Sequence, residues 1–181
     1  MTAIFDIELP LINLVGLVAT VIPAAWNDYK KWRIPNLLLL WSALGAILLA
    51  IFLPNGIGAA ASLQGAMVGF FMFLPLYLIR GMAAGDVKLL ATLGLYSGPV
   101  FITGIGLLSM LVGGIWACII LLSYSNSFQI IKIWLHSLVN KYLYIPTSYK
   151  FKENFYYSGS ELIPYGVVIA IGCISMIFIN Y

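Results

Sequence analysis

"LLATLGLYSGPVFITGIGLLSMLVGGIWACIILLS", residues 89–123, is the stretch on which the fold turns. Thirty-five residues pass here without a charge. As one straight helix they would run about 52 Å, well past a bilayer core of about 30 Å. In their middle stands "YSGP", Tyr96–Pro99, a turn signal. The segment is therefore read as two crossings, the first short and starting near Asp86.

The same reading extends outward. Leu11–Trp26, Ile34–Leu53, Gly58–Ile79 and Leu162–Tyr181 are all uncharged. The chain is 62% hydrophobic and 8% charged, with a mean hydropathy of +1.03. A soluble globule carries about 25% charge, so there is too little polar surface here to face water. The nine Lys and Arg residues decide the topology, because cytoplasmic loops carry the excess of basic residues. Lys30, Lys31 and Arg33 follow the first span. Arg80 and Lys88 flank the third connection, and Lys132, Lys141, Lys150 and Lys152 lie in the long connector, about 124–161. Two crossings over residues 89–123 put all nine on one side; one crossing does not. The expectation is an all-α, polytopic membrane protein of about six transmembrane helices, forming one membrane-embedded domain over residues 1–181. Its basic loops would face the cytoplasm. Asp6 and Glu8 precede the first span, where a cleaved signal sequence carries Lys or Arg. The first span thus reads as permanent. The basic residues do not cluster with aromatics as in a nucleic-acid groove, so no nucleic-acid partner is expected. Cys118 and Cys173 stand inside apolar runs and form no CxxC pair. No metal and no other cofactor is expected.

This topology gives two acids a shared address. Asp28 closes the first span and Asp86 opens the fourth, at one membrane depth although fifty-eight positions separate them. Charge at membrane depth is costly and marks functional candidates. Plainer roles compete for each. Asp86 can be an N-cap, favoured by the helix dipole. Asp28 can be an interfacial charge paired with Lys30, Lys31 or Arg33. Gly81 and Gly85 bracket the turn before Asp86 and permit positive φ or close approach. Pro35 suits the first turn of the second span, and Asn36 can cap it or bond across helices. Two carboxylates that meet share a proton rather than both ionising. One can then take a proton from water while the other polarises a carbonyl. His136 has no evident nucleophile partner and reads as structural.

Three segments carry a family resemblance: "NDYKKWRIPN" (Asn27–Asn36), "GDVKLLATLG" (Gly85–Gly94) and "IPYGVVIAIG" (Ile163–Gly172). In order and spacing they resemble the motifs of type IV prepilin peptidases, membrane aspartyl proteases of the GxGD type. The resemblance implies that Asp28 and Asp86 are the catalytic pair. It also implies that the substrate is a prepilin-like protein whose short basic leader is cut at the cytoplasmic face of the bacterial inner membrane. The family signature would have glycine at position 83, where this chain has Ala83. Larger members carry a further N-terminal region, often with paired cysteines, and N-methylate the cleaved pilin. This chain resembles the short, peptidase-only form serving Flp-type or tad-type pili. Gly85, Lys88, Pro35, Asn36, Pro164, Tyr165 and Gly166 are expected to support the site, with Glu161 a solvated boundary charge. In the connector, Ile130, Ile131, Trp134, Leu135, Leu138, Val139 and Tyr142 share a helical face, as in an interfacial amphipathic helix. The rivals are another GxGD protease, of preflagellin or signal-peptide type, and a proton-coupled transporter. Transporters place their acids near the midplane, often within repeats, and no repeat is evident.

Overall fold

The computed structural model describes residues 9–53, 56–79, 81–123 and 164–180. The amphipathic connector, Arg80, His136 and Glu161 fall outside the described residues. Within them the chain is all-helical: α1 (Leu11–Lys31), α2 (Asn36–Phe52), α3 (Ala59–Leu78), α4 (Ala84–Ser123) and α5 (Tyr165–Asn180). Among the described residues, three helices are long and apolar enough to cross a membrane: Leu11–Lys31, Ala59–Leu78 and Ala84–Ile119. Asn36–Phe52 and Tyr165–Asn180 are apolar but shorter, at 17 and 16 residues.

α4 does not run straight. Gly98 takes φ 73° and ψ 177°, a conformation open to glycine and strained for other residues, and Pro99 follows it. Leu90 and Gly106 are sixteen positions apart, about 24 Å along a straight helix. Yet a Cβ on Gly106 would lie 3.6 Å from Leu90 Cδ2. The chain therefore doubles back at Gly98, giving a first limb (84–97) and a second limb (99–123). The first limb is short, about 21 Å, as expected from "YSGP".

A break among apolar helices frees backbone groups that water does not reach, so neighbouring helices must supply partners. Pro99 has no N–H, so the carbonyl of Leu95, four residues earlier, loses its helical donor. The Ser62 hydroxyl on α3 replaces it, donating to Leu95 O at 2.7 Å. Asn13 on α1 donates from Nδ2 to Tyr96 O at 3.0 Å. The Tyr96 hydroxyl then donates to Ser42 O on α2 at 2.8 Å, and the hydroxyls of Ser42 and Thr20 bond to one another. The break in α4 is thus stitched to α1, α2 and α3.

Packing follows small residues. Gly65 and Gly94 face each other so closely that a Cβ on either would strike the other's carbonyl oxygen. Gly69, one turn on, would meet Leu90 O at 2.7 Å. Glycines four apart let helix backbones approach where lipid supplies no hydrophobic drive. The core adds Leu17, Phe73, Leu89, Leu90, Leu93, Phe101, Ile102, Ile105 and Ile169. The outside is apolar as well: Phe178, Leu11, Phe52 and Trp41 are largely exposed. The buried polar residues are Asn13, Thr20, Asp28, Ser62, Asp86, Thr92, Ser97 and Ser109. Greasy surface and inward polarity suit a lipid solvent.

The direction of each helix can be read from its partners. α1 starts near Tyr96 and ends near Gly166; α5 starts at Asp28 and climbs the second limb from Gly113 to Gly104. Asp28, Asp86 and the start of α5 therefore share one end of the bundle. The break at Gly98 marks the other.

Candidate active site

α1 runs past Trp26 to Lys31, so Asp28 lies one turn inside the helix rather than beyond its end. Trp32 stops the helix in the left-handed conformation (φ 53°, ψ 29°), its N–H donating to Asp28 O at 2.8 Å. Lys30 and Lys31 in the last turn suit the negative end of the helix dipole. The Asp28 side chain turns inward and is 7% exposed. Its Oδ2 accepts the Gly166 N–H at 2.7 Å. That N–H belongs to the first turn of α5, where helix amides lack internal partners and favour an anion. Pro164 precedes the helix and its carbonyl accepts from Val167 at 3.0 Å, so Pro-Tyr-Gly starts a helix aimed at Asp28. Gly166 is required there. A Cβ at that position would stand 2.9 Å from both Asp28 Cβ and Asp28 Oδ2.

Asp86 is the third residue of α4 and 4% exposed. Its Oδ2 accepts the Ala83 N–H at 3.2 Å, the reach-back half of a capping box. Asp86 is thus not the N-cap weighed for it but the acceptor one turn in, and this bond uses one of its two oxygens. Asp28 lies within electrostatic reach of Asp86, and so does Tyr165. The interfacial alternative for Asp28 does not describe its surroundings. Among the described residues its side chain bonds the α5 backbone, not Lys30, Lys31 or Arg33.

Of the two options that Gly81 and Gly85 offer, positive φ is not used. Among the described residues only Trp32, Gly58 and Gly98 have positive φ. Ala83 therefore costs no backbone strain where the family signature has glycine. The Ile34 side chain lies over Gly85, where a Cβ would make ordinary contact with it at 3.5 Å, so the Ile-Pro-Asn segment docks on the start of α4 without requiring glycine there. Pro35 precedes α2 with φ −64°. Asn36 bonds across helices, its Oδ1 accepting from Lys88 Nζ at 3.4 Å on the exposed side. Lys88 and Asn36 thus pair with each other and not with the carboxylates. Asp28, Asp86, Tyr165 and Gly166 come together, Pro164 and Gly85 position them, and Pro35, Asn36 and Lys88 stand to one side. Ile34 and the Ala83 amide are contributors that sequence reasoning passed over. Both lie inside quoted motifs, but neither side chain signals chemistry.

The class these features define is an apolar helical bundle with two buried carboxylates, each held through one oxygen by a backbone N–H. A family model described as the type IV leader peptidase family matches residues 15–118. The match covers more than half of the chain and contains both aspartates. The chain belongs to the type IV leader peptidase family. Searches of curated proteins and of solved structures each return no match.

Proposed function

We propose that this peptidase is an aspartic endopeptidase acting at the cytoplasmic face of the bacterial inner membrane. It removes the short basic leader of prepilin-like proteins, of the Flp or tad type. The observation that carries the reading is that Asp28 and Asp86, both buried and from helices far apart in sequence, lie at one end of the bundle within electrostatic reach of one another. In the reaction the ionised carboxylate takes a proton from water as the water oxygen attacks the scissile carbonyl carbon. The protonated carboxyl gives its proton to the carbonyl oxygen, forming a gem-diol. Collapse of the diol breaks the C–N bond: the leaving nitrogen takes a proton from the first carboxyl while a diol hydroxyl gives its proton to the second carboxylate, which leaves a carboxylic acid and restores the starting pair. The Gly166 and Ala83 amides hold one oxygen of each carboxyl, so both reacting groups are oriented before substrate arrives. The basic leader suits the basic loops poorly in charge but well in place: both are on the water side, while the apolar mature segment stays in lipid.

The test is incubation of the purified chain in detergent with a peptide carrying a basic leader, a glycine and an apolar helix. Cleavage without any ion gradient is expected. Solute uptake by proteoliposomes without cleavage would point to the transporter instead. Preflagellin-type and signal-peptide-type leaders in parallel separate the sister proteases.

A further inference from the structure

Beside the carboxylate pair, α3, the second limb of α4 and the start of α5 enclose a cavity of about 270 Å³. Phe73, Met82, Met110, Gly114 and Tyr165 line it. Ser109 also borders it, but its hydroxyl is committed to Ile105 O at 2.7 Å, so the walls offer mainly carbon and sulfur. The link to the chemistry runs through two residues of its wall. Tyr165 both lines the cavity and stands within electrostatic reach of Asp86, and Met82 belongs to the turn leading into Asp86.

We infer that this cavity is a specificity pocket for the first apolar side chain on the mature side of the scissile bond, an inference that rests on the peptidase reading above. Three observations select that occupant. The volume falls below the roughly 300–1,000 Å³ of sites built for whole small molecules and suits one large side chain. The lining is apolar, which fits the mature segment and not the basic leader. The pocket is also reached from the lipid-facing side. Gly114 is exposed, a Cβ there would meet nothing within 4 Å, and its neighbours Leu111 and Ile115 are exposed and apolar. An apolar helix arriving through the bilayer can therefore seat its first residue here while the bond before it lies at the carboxylates. Neither recess has a carboxylate in its lining; the second, lined by Asn36, Leu39, Phe70 and Lys88, sets an amide and an ammonium on its wall and so suits an apolar side chain less.

The experiment uses the full chain in detergent and two leader substrates that differ only in the residue after the scissile bond, Phe in one and Ala in the other. Gly114→Leu narrows the mouth without striking a neighbour. It should lower kcat/KM for the Phe substrate by about tenfold or more while leaving the Ala substrate within about threefold, the scale on which apolar pockets discriminate. Met110→Ala widens the pocket and should shift the preference toward the larger side chain. An equal loss on both substrates would overturn the pocket, since the cavity would then serve packing alone. No change in either variant would also overturn it, as when a lipid chain fills the space. Wild-type protein that cleaves neither substrate would remove the peptidase reading and the pocket with it, a result distinct from the other two.

Discussion

At Gly166 a hydrogen atom stands where any other residue carries a carbon, and the Asp28 carboxyl fills the space. Gly166→Ala should push that carboxyl off the α5 amide while leaving the helix start intact. A displacement on this scale in an active site costs on the order of 10²-fold in rate. Leader cleavage should fall by that factor, and the protein should still be recovered folded from membranes. Lys88→Ala is the contrast. The lysine bonds Asn36 on the exposed side, so cleavage should change by less than about threefold, in keeping with the small worth of exposed polar contacts. At this scale the two aspartates were legible because charge is conspicuous in an apolar chain. Their fixing groups were not. The Gly166 amide is 138 positions from Asp28, and no sequence pattern says which helix start will abut which helix end. The use made of the glycines near Asp86 was not legible for a related reason. Glycine serves either conformation or close approach, and the letter alone does not say which; at Gly85 the φ is not positive and a Cβ would make only ordinary contact with Ile34.

Among the elements, the break in α4 carries the most structure. "YSGP" marked it in the sequence, since Gly98 supplies the left-handed φ and Pro99 ends the hydrogen-bond ladder. The repair was not legible. Ser62 and Asn13 are polar residues in mostly apolar helices, and either could have faced any neighbour. Ser62 is 2% exposed and donates to the Leu95 carbonyl. Ser62→Ala leaves that carbonyl without its side-chain donor, at a cost of about 1–3 kcal/mol. The variant should lose thermal stability in detergent, while the cleavage rate of the protein that remains folded stays near wild type. The carboxylates lie at the other end of the bundle, so stability and activity should separate here.

For the whole molecule, the two acids lie at one end of the bundle and the stitching of Asn13, Ser62 and Tyr96 at the other. Cysteines introduced at Arg33 and Ala83, both exposed at the aspartate end, should react with a membrane-impermeant thiol reagent from the cytoplasmic side only. A cysteine at Ala59, exposed at the far end, should react from outside only. Labelling of Ala59Cys and Ala83Cys from the same side would contradict the antiparallel passage of α3. The charge pattern is what predicts this arrangement, since two crossings over residues 89–123 put every basic residue on one side. Which helices touch was not readable. Apolar residues surround most of these helices, so hydrophobic periodicity does not single out a packed face. The glycine contacts between Gly65 and Gly94 and the polar stitches make that choice.

The pairing of Asp28 and Asp86 is tested most directly by steady-state cleavage of a prepilin-like leader by Asp28→Asn, Asp86→Asn and the double variant, each checked for normal expression and folding. Asparagine keeps the shape but neither accepts nor shares the acidic proton. Each single change should lower the rate by at least the 10²–10⁴-fold typical of one acid–base role, and the double variant should be barely worse than either, because the two act as a unit. Near wild-type cleavage by either single variant would contradict the dyad and leave the aspartates as helix-end ligands alone.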